Sequence, residues 1–373
     1  MKSKLIFTAT LVCLIFAFVV TSCATSAANN KDEHYQNIIG VNINEINVYI
    51  AGTYKIGDRN LVCLWKNGQR IRYFIDEESR FTVYSTNAIA VSGDKVYLAC
   101  NSSIYYNPFV AYYIEYDIKN DIEKYFSLYQ IDKYESSFAK AICVVGSDVY
   151  VAGYYTNSNT TTACYWKNGE LVSLQCPNNT NGNTNAISIS NSEVYVTGWY
   201  SDGRNMTFCY WKNGQRTDIN SSNIELPEYT FRNEFSVDAI TTSGGKIFVA
   251  GSFNHIPGWG EVHQRLCYWI DGKIKFLETY LERGSHIDNI NVSDNSVFVT
   301  GGISIPGDYI DGYWKNEGFH QWYINDIIAI TDLKGKTYIA GNNGGAHYWI
   351  DEERYDFQDG DNATITAIAV VEE

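Results

Sequence analysis

The stretch Val149-Tyr150-Val151-Ala152-Gly153, followed ten residues later by Cys164-Tyr165-Trp166-Lys167-Asn168-Gly169, decides how the chain is read, because both halves recur. The first half returns at 48–52, 96–100, 194–198, 247–251, 297–301 and 337–341, ending in Gly each time except at Cys100. The second half returns unchanged at 209–214 and closely at 63–68 and 267–272. It is looser at 313–316 and 348–351, and departs most at 113–117. A third element precedes the first: Asn87-Ala88-Ile89, Lys140-Ala141-Ile142, Asn185-Ala186-Ile187, Asp238-Ala239-Ile240 and Asp288-Asn289-Ile290. A short apolar tail after Asn-Gly, such as 171–174, makes a fourth. Self-similarity at a period of 40–53 residues marks a repeat architecture.

Each unit therefore holds four β-rich runs, A to D, of ordinary strand length. Asn-Gly between C and D favours the left-handed geometry of a two-residue hairpin. Ser92-Gly93-Asp94 and Ser243-Gly244-Gly245 form similar tight turns between A and B. No helical period survives in the mature chain. Thirty Tyr, 17 Phe and 9 Trp against 5 Pro and 2 Met favour strands over helices. Four-stranded units at this period predict an all-β fold, a seven-bladed β-propeller. Burial of each blade against two neighbours explains why B and C are apolar on both faces. Along strand C, Cys164 and Trp166 share one face and Tyr165 takes the other. Two segments compete as strand A of the first unit, 39–41 and 366–370. The C-terminal one matches the repeat better, so it is expected to complete the first blade and join the chain ends.

The repeat resembles the kelch-type blade, most closely at 94–99 followed by Tyr116-Asp117. It departs from that pattern in two ways: the double Gly survives only at Gly301-Gly302, and the Trp sits in strand C instead of D. It is nearer the Tyr-Trp-Lys-Asn-Gly propeller repeats of bacterial lipoproteins of unknown role. The resemblance covers about 36–373 and implies a propeller on an envelope tether.

The N-terminus agrees. Lys2 and Lys4 precede an apolar run from Leu5 to Val20, and small residues follow at Thr21-Ser22-Cys23. That order is a secretory signal, and the run is short for a membrane span. Val20-Thr21-Ser22-Cys23 resembles a lipobox, which implies an acylated, palmitate-bearing Cys23. The expected organisation is a signal peptide over 1–22, lipidated Cys23 and tether over 23–35, and a propeller over 36–373. Ala24 after the Cys implies the outer membrane by the same analogy. The formal charge of −14 provides no basic face for nucleic acid. The expectation is a monomer that touches membrane only through its lipid.

Candidate site residues fall in two groups. Tyr105, Tyr106, Tyr155, Trp199, Tyr200 and Trp259 follow strand B, in or near the B–C loops, which vary in length. Variable loops on a rigid scaffold are where binding concentrates. B–C and D–A loops share one face of such a ring, so the rings there either stack on a partner or cap strand ends. Asn87, Lys140, Asn185, Asp238 and Asp288 open strand A near the central mouth. They form either a polar binding ring or ordinary strand caps. The six repeat Trp read as core, and Cys63, Cys164, Cys209 and Cys267 as small buried hydrophobes. His255, Glu261 and His263 match no recognised metal spacing, and Asp356, Asp359 and Asp361 lack the alternation of a calcium loop. No metal or cofactor is assigned. Nucleophile-elbow, phosphate-loop, zinc-protease and sialidase boxes are absent. The leading expectation is non-catalytic binding of a protein or surface glycan at the cell envelope. The alternatives are a glycan hydrolase using Asp238 and Asp288, and a periplasmic scaffold.

Overall fold

The computed structural model describes residues 46–57, 59–74, 82–104, 107–128, 135–158, 160–178, 180–219, 230–257, 263–277, 284–293, 296–305, 307–322, 327–342, 345–357 and 363–372. Their strands form seven antiparallel sheets arranged as a ring, a seven-bladed propeller. Blade 3 shows the pattern: Ser136–Val145, Asp148–Asn157, Thr160–Lys167 and Glu170–Ser173 run from the channel outward as strands A, B, C and D. Blade 5 differs in that its strand A is in two pieces, Thr230–Phe235 and Ala239–Ser243.

The conserved letters of the repeat have local causes. Asn168 and Gly169 both have positive φ, 51° and 85°, as do the pairs at 67–68, 213–214 and 271–272. That is the turn whose twist suits a two-residue hairpin. The Asn side chain adds a second function. Asn168 Oδ1 accepts from Val149 N at 2.8 Å, and Asn67, Asn213 and Asn316 do the same for Val48, Val194 and Val297. The C–D turn thus fastens the start of strand B. The repeat Lys lies over the ring of the strand B aromatic: Lys66 on Tyr49, Lys167 on Tyr150, Lys212 on Tyr195 and Lys315 on Phe298.

The core lies between blades. Cys164 and Trp166 pack toward blade 2, against Ala88, Tyr97 and Tyr113. Tyr165 packs the other way, against Val194, Val196 and Trp211 of blade 4. The six repeat Trp are at most 5% exposed, and each contributes on the order of 5 kcal/mol of apolar burial before its entropy cost. The same contact closes the ring. Trp65 and Cys63 of blade 1 pack on Tyr348 and Phe357 of blade 7.

The innermost strand of blade 1 is Ala363–Glu372, which pairs antiparallel with Ile46–Ile56 from Ile46↔Glu372 to Tyr54↔Ala363. The last strand of the chain therefore completes the first blade. The competing segment 39–41 lies outside the described residues.

Candidate functional site

Every innermost strand carries an irregularity at the same place. The A–B ladder skips Asn87, Lys140, Asn185, Asp288, Ile328 and Thr366, and Asp238 falls in the break between the two pieces of its strand. Such bulges re-aim a side chain. The five charged or amide residues of this ring were expected to open strand A; instead they sit inside it, at the bulge. A shared x-Ala-Ile pattern, Asn289 replacing Ala once, runs through all seven sites, so Ile328 and Thr366 were also legible.

The bulge explains the Gly that ends the first half of the repeat. In blade 5 the backbone at Ser236 crosses so close to Gly251 that an added Cβ would lie 2.0 Å from Ser236 O. Gly153, Gly198 and Gly301 meet a strand A carbonyl at 2.0–2.1 Å. Cys100 holds this place in blade 2, where the A–B ladder shifts register a second time, at Val83/Ser85.

Asn87, Lys140, Asn185, Asp238, Asp288 and Ile328 line one central cavity of about 280 Å³. The structure thus brings together all five members of the polar group. Asn87 Nδ2 donates to Ala139 O at 2.7 Å, and Asn185 Nδ2 to Val237 O at 2.5 Å. Each bond reaches the carbonyl just before the next blade's bulge, so these two amides lace neighbouring blades. The charged members differ. Lys140 makes no ion pair among the described residues, and its Nζ lies 5.7 Å from the Phe138 ring centroid. Burial pulls its pKa down. Asp238 Oδ2 accepts from Ser236 Oγ at 2.9 Å. Burial, aided by the negative charge of Asp288, pushes Asp238 up to about 6 against the opposing pull of the Ser236 hydrogen bond. Asp288 lies 3.4 Å from His286 Nε2. The hydrogen bond to Asp288 raises the His286 pKa, against the effect of its burial. His286 also stacks on Tyr309, whose hydroxyl is 2.8 Å from Nδ1.

The aromatic group is placed differently from expectation. Tyr155, Trp199 and Tyr200 lie in strand B itself, paired to Thr162, Phe208 and Thr207. The variable lengths between B and C are taken up mainly by lengthening this hairpin: strand B runs to Asn157 in blade 3 and to Pro257 in blade 5. Tyr200 is held by Asp218, at 3.2 Å from its hydroxyl, and by the Arg216 guanidinium 4.5 Å from its ring centroid. Tyr155 packs on the core between blades 2 and 3. Tyr105, Tyr106 and Trp259 lie outside the described residues.

Sequence reasoning missed other side chains on that face. Ile56, Phe109, Met206 and Tyr309 are 39–56% exposed, all at the B–C ends of their strands. Phe109 meets Phe138, which stacks on Tyr154 and supports Lys140. An aromatic path therefore runs from the blade 2 hairpin to the channel. Scattered single rings carry no period, which is why the repeat alignment did not reveal them.

His255 and His263 pair across their hairpin, and Glu261 lies outside the described residues. Asp356 ends the outer strand of blade 7, where it meets His347 at 3.0 Å and Arg354 at 2.8 Å; Asp359 and Asp361 lie outside the described residues. All seven described cysteines are free thiols, and all but Cys176 are buried.

Fold and channel together define a seven-bladed propeller whose central cavity is lined by charged, amide and apolar side chains. No family model matches the chain, and no curated sequence matches it. Solved structures with detectable likeness include the β-propeller domain of the Trilobed protease from Pyrococcus furiosus, 13% identical, covering 92% of this chain and 98% of that one, with a TM-score of 0.47. The computationally designed Ika8 protein is 13% identical over 87% of this chain and 96% of its own, with a TM-score of 0.43. A post-proline cleaving enzyme from Rickettsia typhi is 11% identical, covering 85% of this chain but 53% of that one, with a TM-score of 0.47.

Proposed function

We propose that the protein is a non-catalytic binding lipoprotein of the bacterial envelope, anchored through Cys23, that takes a protein or surface glycan on its B–C/D–A face. The observation that carries this is the placement of exposed apolar side chains. Ile56, Phe109, Met206 and Tyr309, four of the six exposed large hydrophobic side chains among the described residues, occupy the B–C ends; Ile122 and Val145 lie at the other ends of their strands. Exposed aromatic and Met side chains around a polar centre suit partner recognition. The topology supports the orientation. Ile46 begins strand B at the A–B end, paired with Glu372, so the first described residue lies on the opposite face.

A glycan and host-matrix array with the purified full chain tests this, beside the triple variant Phe109→Ala, Met206→Ala, Tyr309→Ala. A specific hit lost at least tenfold in the folded variant is expected. A hit that survives unchanged in the variant refutes the face assignment.

A second reading, glycan hydrolysis, is favoured by one observation. Asp238, held near 6 beside Asp288, has the character of a general acid next to a second carboxylate. Release of reducing sugar that disappears in Asp238→Asn supports it; a full panel of envelope glycans left intact removes it.

A further inference from the structure

The channel charges do not neutralise one another. Lys140 belongs to blade 3, Asp238 to blade 5 and Asp288 to blade 6, so in a ring of seven the cation and the carboxylates occupy opposing walls. No ion pair joins Lys140 to either carboxylate. Asn185 stands between them, but its amide donor is committed to Val237 O. On the far side of the ring, Ile328 supplies an apolar wall.

Lys140 faces the cavity with no ion pair among the described residues and pays desolvation that a complementary ligand would offset, whereas Asp238 has the Ser236 hydroxyl and Asp288 has His286. The opposing set is rigid. Asp238 is fixed by Ser236, which itself joins Ser252 and Gln264 in a hydrogen-bonded chain. Asp288 is steadied by His286, and His286 by Tyr309. Lys140 projects from a bulge whose backbone is clamped on both sides: Ala139 N donates to Asn101 Oδ1 at 2.8 Å, and Ala139 O accepts from Asn87 and Asn101. A volume of about 280 Å³ lies at the small end of ligand pockets. It suits a small molecule, not a polymer.

We infer that the channel is a binding site for a small dipolar ligand bearing both an ammonium and a carboxylate, of the free amino acid or dipeptide class. Its carboxylate pairs with Lys140 and its ammonium with Asp238 and Asp288. The inference is independent of the partner taken by the outer face, because it uses none of the exposed apolar side chains.

Isothermal titration of the purified full chain with the twenty free amino acids and glycylglycine tests it, each probe beside its N-acetyl and its C-amide derivative. At least one free zwitterion is expected to bind, with both capped forms at least tenfold weaker. Lys140→Met should abolish the penalty for amidation and leave that for acetylation; the double variant Asp238→Asn, Asp288→Asn should do the reverse. Lys140→Arg keeps the charge and should retain the full preference, which separates a lost contact from a damaged fold. Absence of heat with every zwitterion at millimolar concentration overturns the proposal. So does a capped derivative that binds within twofold of its parent.

Discussion

Gly251→Ala tests the link between repeat and channel most directly. An added Cβ would lie 2.0 Å from Ser236 O, 2.7 Å from its carbonyl carbon and 3.0 Å from Val237 Cα. Both sides are backbone, so no side chain can rotate away, and strand A must retreat by about 1 Å to restore ordinary contact. The retreat strains three bonds: Ser236 N to Ser252 O at 2.8 Å, Asp238 N to Ala250 O at 2.9 Å, and Ser252 N to Ser236 Oγ at 2.9 Å. Overpacking costs about 1–3 kcal/mol, and weakening two backbone hydrogen bonds adds roughly 1 kcal/mol each. The expected loss is about 3–5 kcal/mol, or roughly 4–7 °C in Tm for a domain of this size. Differential scanning calorimetry reads the transition directly. Gly214→Ala is the control: φ is 82° there, and nothing lies within 4 Å of the new Cβ. Only the left-handed backbone is strained, at about 1 kcal/mol. If the two variants melt within a degree of each other, close approach at the bulge is not why Gly ends the motif.

Asp238→Asn should stabilise the protein at pH 8 and lose that advantage near pH 4. The folded-state pKa is raised, from 3.8 to about 6, so the native state binds the proton more tightly than the unfolded chain, and wild-type stability falls as pH rises through that window. The ionised form costs on the order of 3 kcal/mol at most; urea titrations across pH check the sign, and an advantage that grows toward acid would contradict it. Thiol labelling should be selective. Burial raises all the core thiols, Cys100 and Cys143 to about 12, so an alkylating reagent on the folded protein should modify Cys176 first among the described thiols; mass spectrometry finding Cys164 or Cys267 labelled at a similar rate would refute it. Ending the chain before Ala363 removes the inner strand of blade 1 and exposes Ile50 and Trp65, and it should abolish the single cooperative melt, as followed by calorimetry.

The architecture was legible because its cause is periodic. Trp166, Asn168 and Gly169 recur in register, and each recurrence reports the same local contact. C-terminal closure was legible for the same reason: Thr366-Ala367-Ile368 is a better copy of strand A than 39–41. The polar ring was half legible. Its members were found, but a bulge is an offset between two strands and leaves no mark in one strand's sequence, so they were placed at the strand start. Tyr155, Trp199 and Tyr200 fell inside strand B, not after it, because hairpin length cannot be told from loop length when both end in polar residues. The Tyr155 ring packs on the core between blades 2 and 3, and Tyr200 bonds to Asp218 of the outer strand. Phe109, Phe138 and Tyr309 belong to single blades, and their convergence on the mouth needs the ring itself to be visible.

The pairing of Ile46–Ile56 with Ala363–Glu372 also sets the order of assembly. A chain delivered from its N-terminus can build six blades as their residues emerge, because each of those sheets is contiguous in sequence. The first blade must wait with its inner edge unpaired until Ala363–Glu372 arrives. That edge, Ile46–Ile56, is apolar along its first half and offers a free backbone ladder. Ring closure, which joins Ile46 to Glu372, is therefore the most non-local pairing among the described strands and carries the largest loop-closure entropy. Until then the growing chain is a curved, open array whose first strand is the one most in need of protection from pairing with a neighbour.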